Sequence, residues 1–145
     1  MKLNIHQSFE YEETEITIHC NTINPELQKI IDQIRLLSFS IKGRIDQTIY
    51  QIALENILYF DCVDNKTFIY CEDKTLETDE KLYELEDKLK NTSFVRISKS
   101  CIVNTSKVVC INPIASEKYE IQLVNNEKVI ISRHYMPYFK KKIGL

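Results

Sequence analysis

Short β-rich runs separated by polar tips constrain this chain most. Ile57-Leu58-Tyr59-Phe60-Asp61-Cys62 and Thr67-Phe68-Ile69-Tyr70-Cys71 flank the polar Asp64-Asn65-Lys66, the pattern of a hairpin with Lys66 at or near its tip. Phe94-Val95-Arg96-Ile97-Ser98-Lys99-Ser100-Cys101-Ile102-Val103-Asn104 repeats the theme with a difference. Its two apolar runs are joined by Ser98-Lys99-Ser100 instead of the Gly, Asn or Asp that usually makes a tight turn. A cation flanked by two hydroxyls suits phosphate oxygens and base edges. Further on, Val108-Val109-Cys110-Ile111 reads as a short strand ended by Asn112-Pro113. Residues 119–124 and 128–132 then alternate around Asn125-Asn126, which tolerate the positive φ of a tight hairpin.

The leading third is mixed. Residues 16–20 alternate as a strand would. Asn24 reads as an N-cap and Pro25 as a first helical residue, with Leu27, Ile30, Ile31, Ile34 and Leu37 recurring on one helical face. Strand-like runs follow at 39–42 and 48–52, with Gly43 as the expected turn between them. A second helix is signalled by Asp79-Glu80 in a first turn, Leu82, Leu85 and Leu89 on one face, and Lys88 and Lys90 near its end. Pro137 starts a short terminal helix. These readings predict an α+β, mainly β fold in which a small β-α-β extension (1–52) precedes a β unit (53–145).

Two glycines and three prolines leave no flexible linker. No apolar run approaches the roughly 18 residues that span a bilayer, so a soluble, cytoplasmic protein is expected. The five cysteines are odd in number, without a C-x-x-C pair, and read as reduced thiols packed in strands. His6, His19 and His134 have no nucleophile or metal motif around them, and no Gly-rich phosphate loop exists. No catalytic residue, metal, cofactor or small-molecule substrate is therefore expected. The aromatics Tyr59, Phe60, Phe68, Tyr70 and Phe94 sit in apolar runs and are read as core, not as a base-stacking platform.

The net charge of −2 hides a strong asymmetry: residues 51–90 hold five Lys/Arg against eleven Asp/Glu, and residues 91–145 hold nine against three. The basic third reads either as a solvated surface or as a footprint for a polyanion.

Taken together, Ile57-Leu58-Tyr59-Phe60-Asp61, the helix Leu82-Tyr83-Glu84-Leu85-Glu86, residues 94–104 and Val129-Ile130-Ile131-Ser132-Arg133-His134-Tyr135 resemble LytTR-type DNA-binding domains in order and spacing. The resemblance implies a bacterial transcription regulator whose elongated β domain lays loops, not a recognition helix, into successive major grooves of double-stranded DNA, commonly as a homodimer on repeated half-sites. Carried over by position, Lys66, Lys99, Arg133 and His134 are the base-contacting candidates. Arg96, Ser98, Ser100, Asn104, Tyr135, Lys140 and Lys141 would position loops or meet the backbone. Family members often have His-Arg where this chain has Ser98-Lys99, and Arg where it has His134; Lys lacks the rigid bidentate fork of Arg. About fifty leading residues are too few for the receiver domain many members carry. The leading piece instead resembles that of stand-alone members, some associated with a small membrane protein regulator. Its helix either packs on the β unit or serves a dimer or partner interface. The acidic middle motivates an alternative function: a protein-interaction module or anti-regulator on the same fold.

Overall fold

The computed structural model describes the backbone of residues 1–145 and every side chain except those of residues 37 and 38. Asn24 is extended ahead of α1 (Pro25–Ser38), and its side chain accepts the Leu27 N–H at 2.8 Å. Pro25 follows in the first turn, where its missing N–H removes no helical bond. Leu36 is buried and Leu27, Ile30, Ile31 and Ile34 are half-buried, so the apolar stripe faces the body of the protein. Leu37, expected on that stripe, lies outside the described side chains.

Seven antiparallel strands form one sheet: β1 (Ser40–Ile45), β2 (Thr48–Ala53), β3 (Ile57–Val63), β4 (Lys66–Cys71), β5 (Thr75–Thr78), β6 (Phe94–Arg96) and β7 (Cys101–Asn104). Their order is β2-β1-β5-β4-β3-β7-β6. A second, three-stranded sheet has the order β10-β9-β8, from β8 (Val108–Ile114), β9 (Lys118–Leu123) and β10 (Lys128–Ile131). Two short helices complete the chain, α2 (Leu82–Lys88) and α3 (Met136–Ile143). The fold is thus mainly β with a few short helices.

Strand alternation sends neighbouring residues to opposite faces, and here each face has its own core. Phe60 of β3 and Ile102 of β7 join Leu82, Leu85 and Leu89 of the α2 region, with Ile41, Ile69 and Leu76. Leu58, Cys101 and Val103 point the other way, onto Ile121, Leu123 and Ile131 of the small sheet and Met136 and Phe139 of α3. Each large side chain removed from water contributes about 1.5–3 kcal/mol. β3 and β7 are therefore clamped from both sides, and the loop between β6 and β7 projects from a braced strand.

Several local expectations are corrected. Residues 16–20 carry no secondary structure and are exposed; alternation alone cannot make a strand without a neighbour to pair with. Gly43 is not a turn but the middle of β1, opposite Tyr50, where an added Cβ would lie 2.9 Å from Ile69 Cδ1 and 3.0 Å from Leu76 Cβ. The turn falls instead at Asp46, with φ of 54°. Asp79 and Glu80 precede α2, and Asp79 pairs with Arg44 at 2.8 Å. β8 runs on through Asn112-Pro113 to Ile114; it lies at a sheet edge, where a proline's missing donor is tolerated. β5 went unforeseen.

Candidate nucleic-acid interface

The loop between β6 and β7 is built by its own polar side chains. Ser98 Oγ accepts the Ser100 N–H at 3.2 Å and lies 3.4 Å from Ser100 Oγ, which tightens the turn without glycine. Arg96 braces it from below: Nε donates to Ser98 O at 2.9 Å, Nη2 donates to Lys99 O, and Nη1 donates to Glu86 of α2 at 2.7 Å. The Arg96 guanidinium is thus committed to carbonyls and a carboxylate. Lys99 is left exposed at the apex.

Two backbone hydrogen bonds bring the other candidates to this loop. Cys62 N–H donates to Ser100 O at 2.8 Å, laying the end of β3 against it. One step along, Val63 pairs with Lys66 across the Asp64-Asn65 turn, whose φ values of 51° and 63° suit a tight hairpin. On the other side, Ser132 N–H donates to Ile97 O at 2.9 Å, so the turn carrying Arg133 and His134 leaves from the same place. Lys66, Lys99, Arg133 and His134 are all exposed. Three cation-bearing turns therefore share one end of the large sheet.

The remaining candidates divide. Asn104 is fully buried at the opposite end of β7, donating to Ile57 O at 2.9 Å and accepting from Ser93 Oγ at 2.7 Å and Ser106 Oγ at 2.7 Å. That location leaves it no reach to a phosphate. Tyr135 is half-buried, its ring edge-on to His134 with centroids 4.9 Å apart. Lys140 lies over the Tyr119 ring at 5.3 Å, whereas Lys141 is exposed. Lys142 turns inward and caps the exit of α2, donating to Lys90 O at 2.9 Å and Thr92 O at 2.8 Å. Burial lowers its pKa, and Arg35 adds to this against the opposing charge of Asp32.

Three acidic residues at this end escaped the sequence reading. Glu86 was named only within the helix run 82–86, yet it anchors Arg96. Glu117, at the positive-φ turn between β8 and β9, stands 3.9 Å from Arg133. Asp61 is half-buried beside Ser100; burial raises its pKa, opposed by hydrogen bonds from the Ser100 hydroxyl and the Cys62 N–H. A polar residue inside the apolar run 57–62 was the available signal for Asp61. Cys101 is buried, and that burial, reinforced by the Asp61 charge, pushes its thiol far up, so it stays protonated and unreactive. Phe60 and Phe94 pack in the core, and Tyr59 stacks on Tyr70 at 4.4 Å. Among the described residues no group of three or more His, Cys, Asp and Glu side chains is placed to hold a metal ion.

A braced antiparallel scaffold that gathers short basic turns at one end defines a mainly β domain that presents loops there. The comparisons with known proteins agree on its family. Residues 47–144 match the model of the LytTr DNA-binding domain, and the chain belongs to that family. A solved LytTr DNA-binding domain from Bacillus cereus superposes with a TM-score of 0.69 at 26% identity, covering 73% of this chain and 97% of that one. The sensory transduction protein LytT of Enterococcus faecalis is 30% identical over 100 residues, which are 69% of this chain and 41% of that protein. The chain thus spans about four tenths of that relative. An uncharacterized HTH-type transcriptional regulator of Staphylococcus aureus is 29% identical over 150 residues, covering 100% of this chain and 99% of that protein. No helix among the described residues is long and apolar enough to cross a membrane.

Proposed function

We propose that the protein is a transcription regulator that binds double-stranded DNA sequence-specifically by placing its three basic turns in successive major grooves. The observation that carries this reading is the pair of backbone bonds, Cys62 to Ser100 and Ser132 to Ile97, that hold the turns bearing Lys66, Lys99 and Arg133 at one end of one sheet. Long cations on rigid tips can address guanine N7 and O6, while Ser98, Ser100 and Lys141 are of a type to meet backbone oxygens. Arg96 acts indirectly, by setting the height of Lys99. Family membership supports the ligand class, and a homodimer on repeated half-sites is part of the same proposal.

The test is fluorescence anisotropy of the protein on its own upstream DNA against a random duplex at fixed salt. Lys99→Ala and Arg133→Ala should each cost about 1–3 kcal/mol on the specific site and less on random DNA. Unchanged specific-to-random ratios in both variants would refute the base-reading roles.

A further inference from the structure

The turn between β8 and β9 holds its shape at a conformational cost. Among the described residues, six other than glycine take a positive φ. Asp46, Asp64, Asn65 and Asn126 are of the two residue types that tolerate the left-handed region, whereas Ser116, at 65°, and Glu117, at 58°, are not. A glycine at 117 would relieve the backbone. The carboxylate carried there instead does little for the fold. Its ion-pair partner among the described residues is Arg133, Nη1 to Oε2 at 3.9 Å, and the two side chains are 74% and 79% exposed, too long and too open a contact to hold a turn.

That contact fixes where the turn lies. Arg133 follows Ser132, whose N–H donates to Ile97 O at 2.9 Å beside the loop bearing Lys99. Glu117 is thus a fourth tip at the end of the basic turns, and an acidic one. A carboxylate facing DNA is repelled by every phosphate and gains only from an N–H donor. In the major groove those donors are the exocyclic amines, cytosine N4 and adenine N6. The neighbouring arginine chooses between them. Arginine pairs best with guanine O6 and N7, and guanine O6 already accepts from N4 of its own cytosine at about 3 Å, while the second N4 hydrogen points into the groove. Two tips 3.9 Å apart match that edge, the cation on one base and the carboxylate on the other.

We infer that Glu117 is a specificity-determining residue, which accepts a hydrogen bond from cytosine N4 of the G·C pair whose guanine Arg133 addresses. The inference rests on the DNA-binding reading and names one base pair within it. The charge of Glu117 weakens binding to every duplex, and its hydrogen bond restores binding at one base pair, so the residue widens the gap between specific and random DNA.

Selection of bound duplexes from a random pool, with the full wild-type chain and with Glu117→Gly, tests it. Glycine relieves the turn, so the variant keeps its fold and its urea midpoint should equal or exceed that of the wild type. The wild type should select a G·C pair at the position that Arg133→Ala relaxes, and Glu117→Gly should lose about tenfold of the preference for it. Replacing that cytosine with 2-pyrimidinone removes the N4 amino group and leaves guanine O6 and N7 in place. Wild-type affinity should fall about tenfold on this duplex and that of Glu117→Gly by less than about twofold, the comparison on the same two duplexes cancelling any change in the DNA itself. A wild type indifferent to the lost amino group overturns the inference. So does a Glu117→Gly chain that binds every duplex more tightly by one factor with its preferences intact, which would leave Glu117 a repulsive charge alone. A wild type that selects no sequence at all is a separate result: it overturns the DNA-binding reading, and this assignment with it.

Discussion

Asn104→Ala separates scaffold from contact, and the hydrogen bonds set its magnitude. The side chain is inaccessible to solvent and makes four hydrogen bonds: one to Ile57 O, one from Ser93 Oγ, and two from Ser106, at 3.1 Å from its N–H and 2.7 Å from its Oγ. Ser106 is exposed, so its groups regain water in the variant at little cost. Ser93 and Ile57 are buried and do not. Two stranded buried groups cost about 1–3 kcal/mol each, giving a loss of about 2–6 kcal/mol against the roughly 5–15 kcal/mol that holds a domain folded.

The chain has no tryptophan, so equilibrium urea unfolding is followed by far-UV circular dichroism or by its eight tyrosines. With a slope of about 2 kcal/mol/M, the midpoint should fall by roughly 1–3 M. Asn104→Asp should be no milder, because a carboxylate oxygen replaces the donor facing Ile57 O and brings a charge into the interior. On the folded baseline, specific DNA affinity should stay within about twofold, since Asn104 ends β7 and Lys99 lies beyond its other end. A midpoint shift of a few tenths molar, or a selective loss of specific DNA binding without a stability change, would refute the scaffold assignment.

Two further perturbations probe the scaffold and the charge beside the loop. Gly43→Ala should destabilise by about 1–3 kcal/mol in the same urea assay, because the new methyl meets Ile69 Cδ1 at 2.9 Å and the backbone-proximal Leu76 Cβ at 3.0 Å; a neutral result would mean that β1 shifts freely on β5. Asp61→Asn addresses pH. Burial raises the Asp61 pKa above its ordinary 3.8, so the native state holds a proton that the unfolded chain has already lost. This contribution to stability is complete below the unfolded pKa and is lost as pH rises through the folded one. The variant should therefore flatten the stability profile in the weakly acidic range just above pH 3.8 and tighten DNA binding at neutral pH; an unaltered profile would dismiss the raised pKa.

Much of the fold was legible because local chemistry and tertiary outcome agreed. Asn24-Pro25 began a helix, Asp64-Asn65 turned a hairpin, and Asn126 took the positive φ its residue type tolerates. What failed was local evidence without its partner. Thr75-Leu76-Glu77-Thr78 has little strand character of its own and becomes β5 by pairing with β4, Thr67 against Thr78 through Tyr70 against Thr75. Residues 16–20 have the opposite history, a strand pattern with nothing beside it. Gly43 was misread because glycine serves two purposes, tight turning and close approach, and only the neighbours Ile69 and Leu76 distinguish them.

The charge asymmetry shows what a regional count can and cannot say about the candidate site. Nine cations stand between residues 91 and 145, but the fold does not offer all nine to a polyanion. Arg96 is held by Glu86, at 2.7 Å, from the acidic middle region, and Lys142 is turned inward onto carbonyls. The acidic middle is in this respect not a separate face but a support, and its Glu77 and Asp79 likewise pair with Arg44. Arg133 and Lys128 have carboxylates only at 3.9 Å, contacts that are weak in water and readily exchanged for phosphate. Net charge therefore overstates the cations free to meet a polyanion, while the backbone bonds joining three distant turns, invisible to any count, gather Lys66, Lys99 and Arg133 at one end. Loops far apart in the sequence become one surface because the end of β3, the start of β7 and the turn after β10 lie side by side.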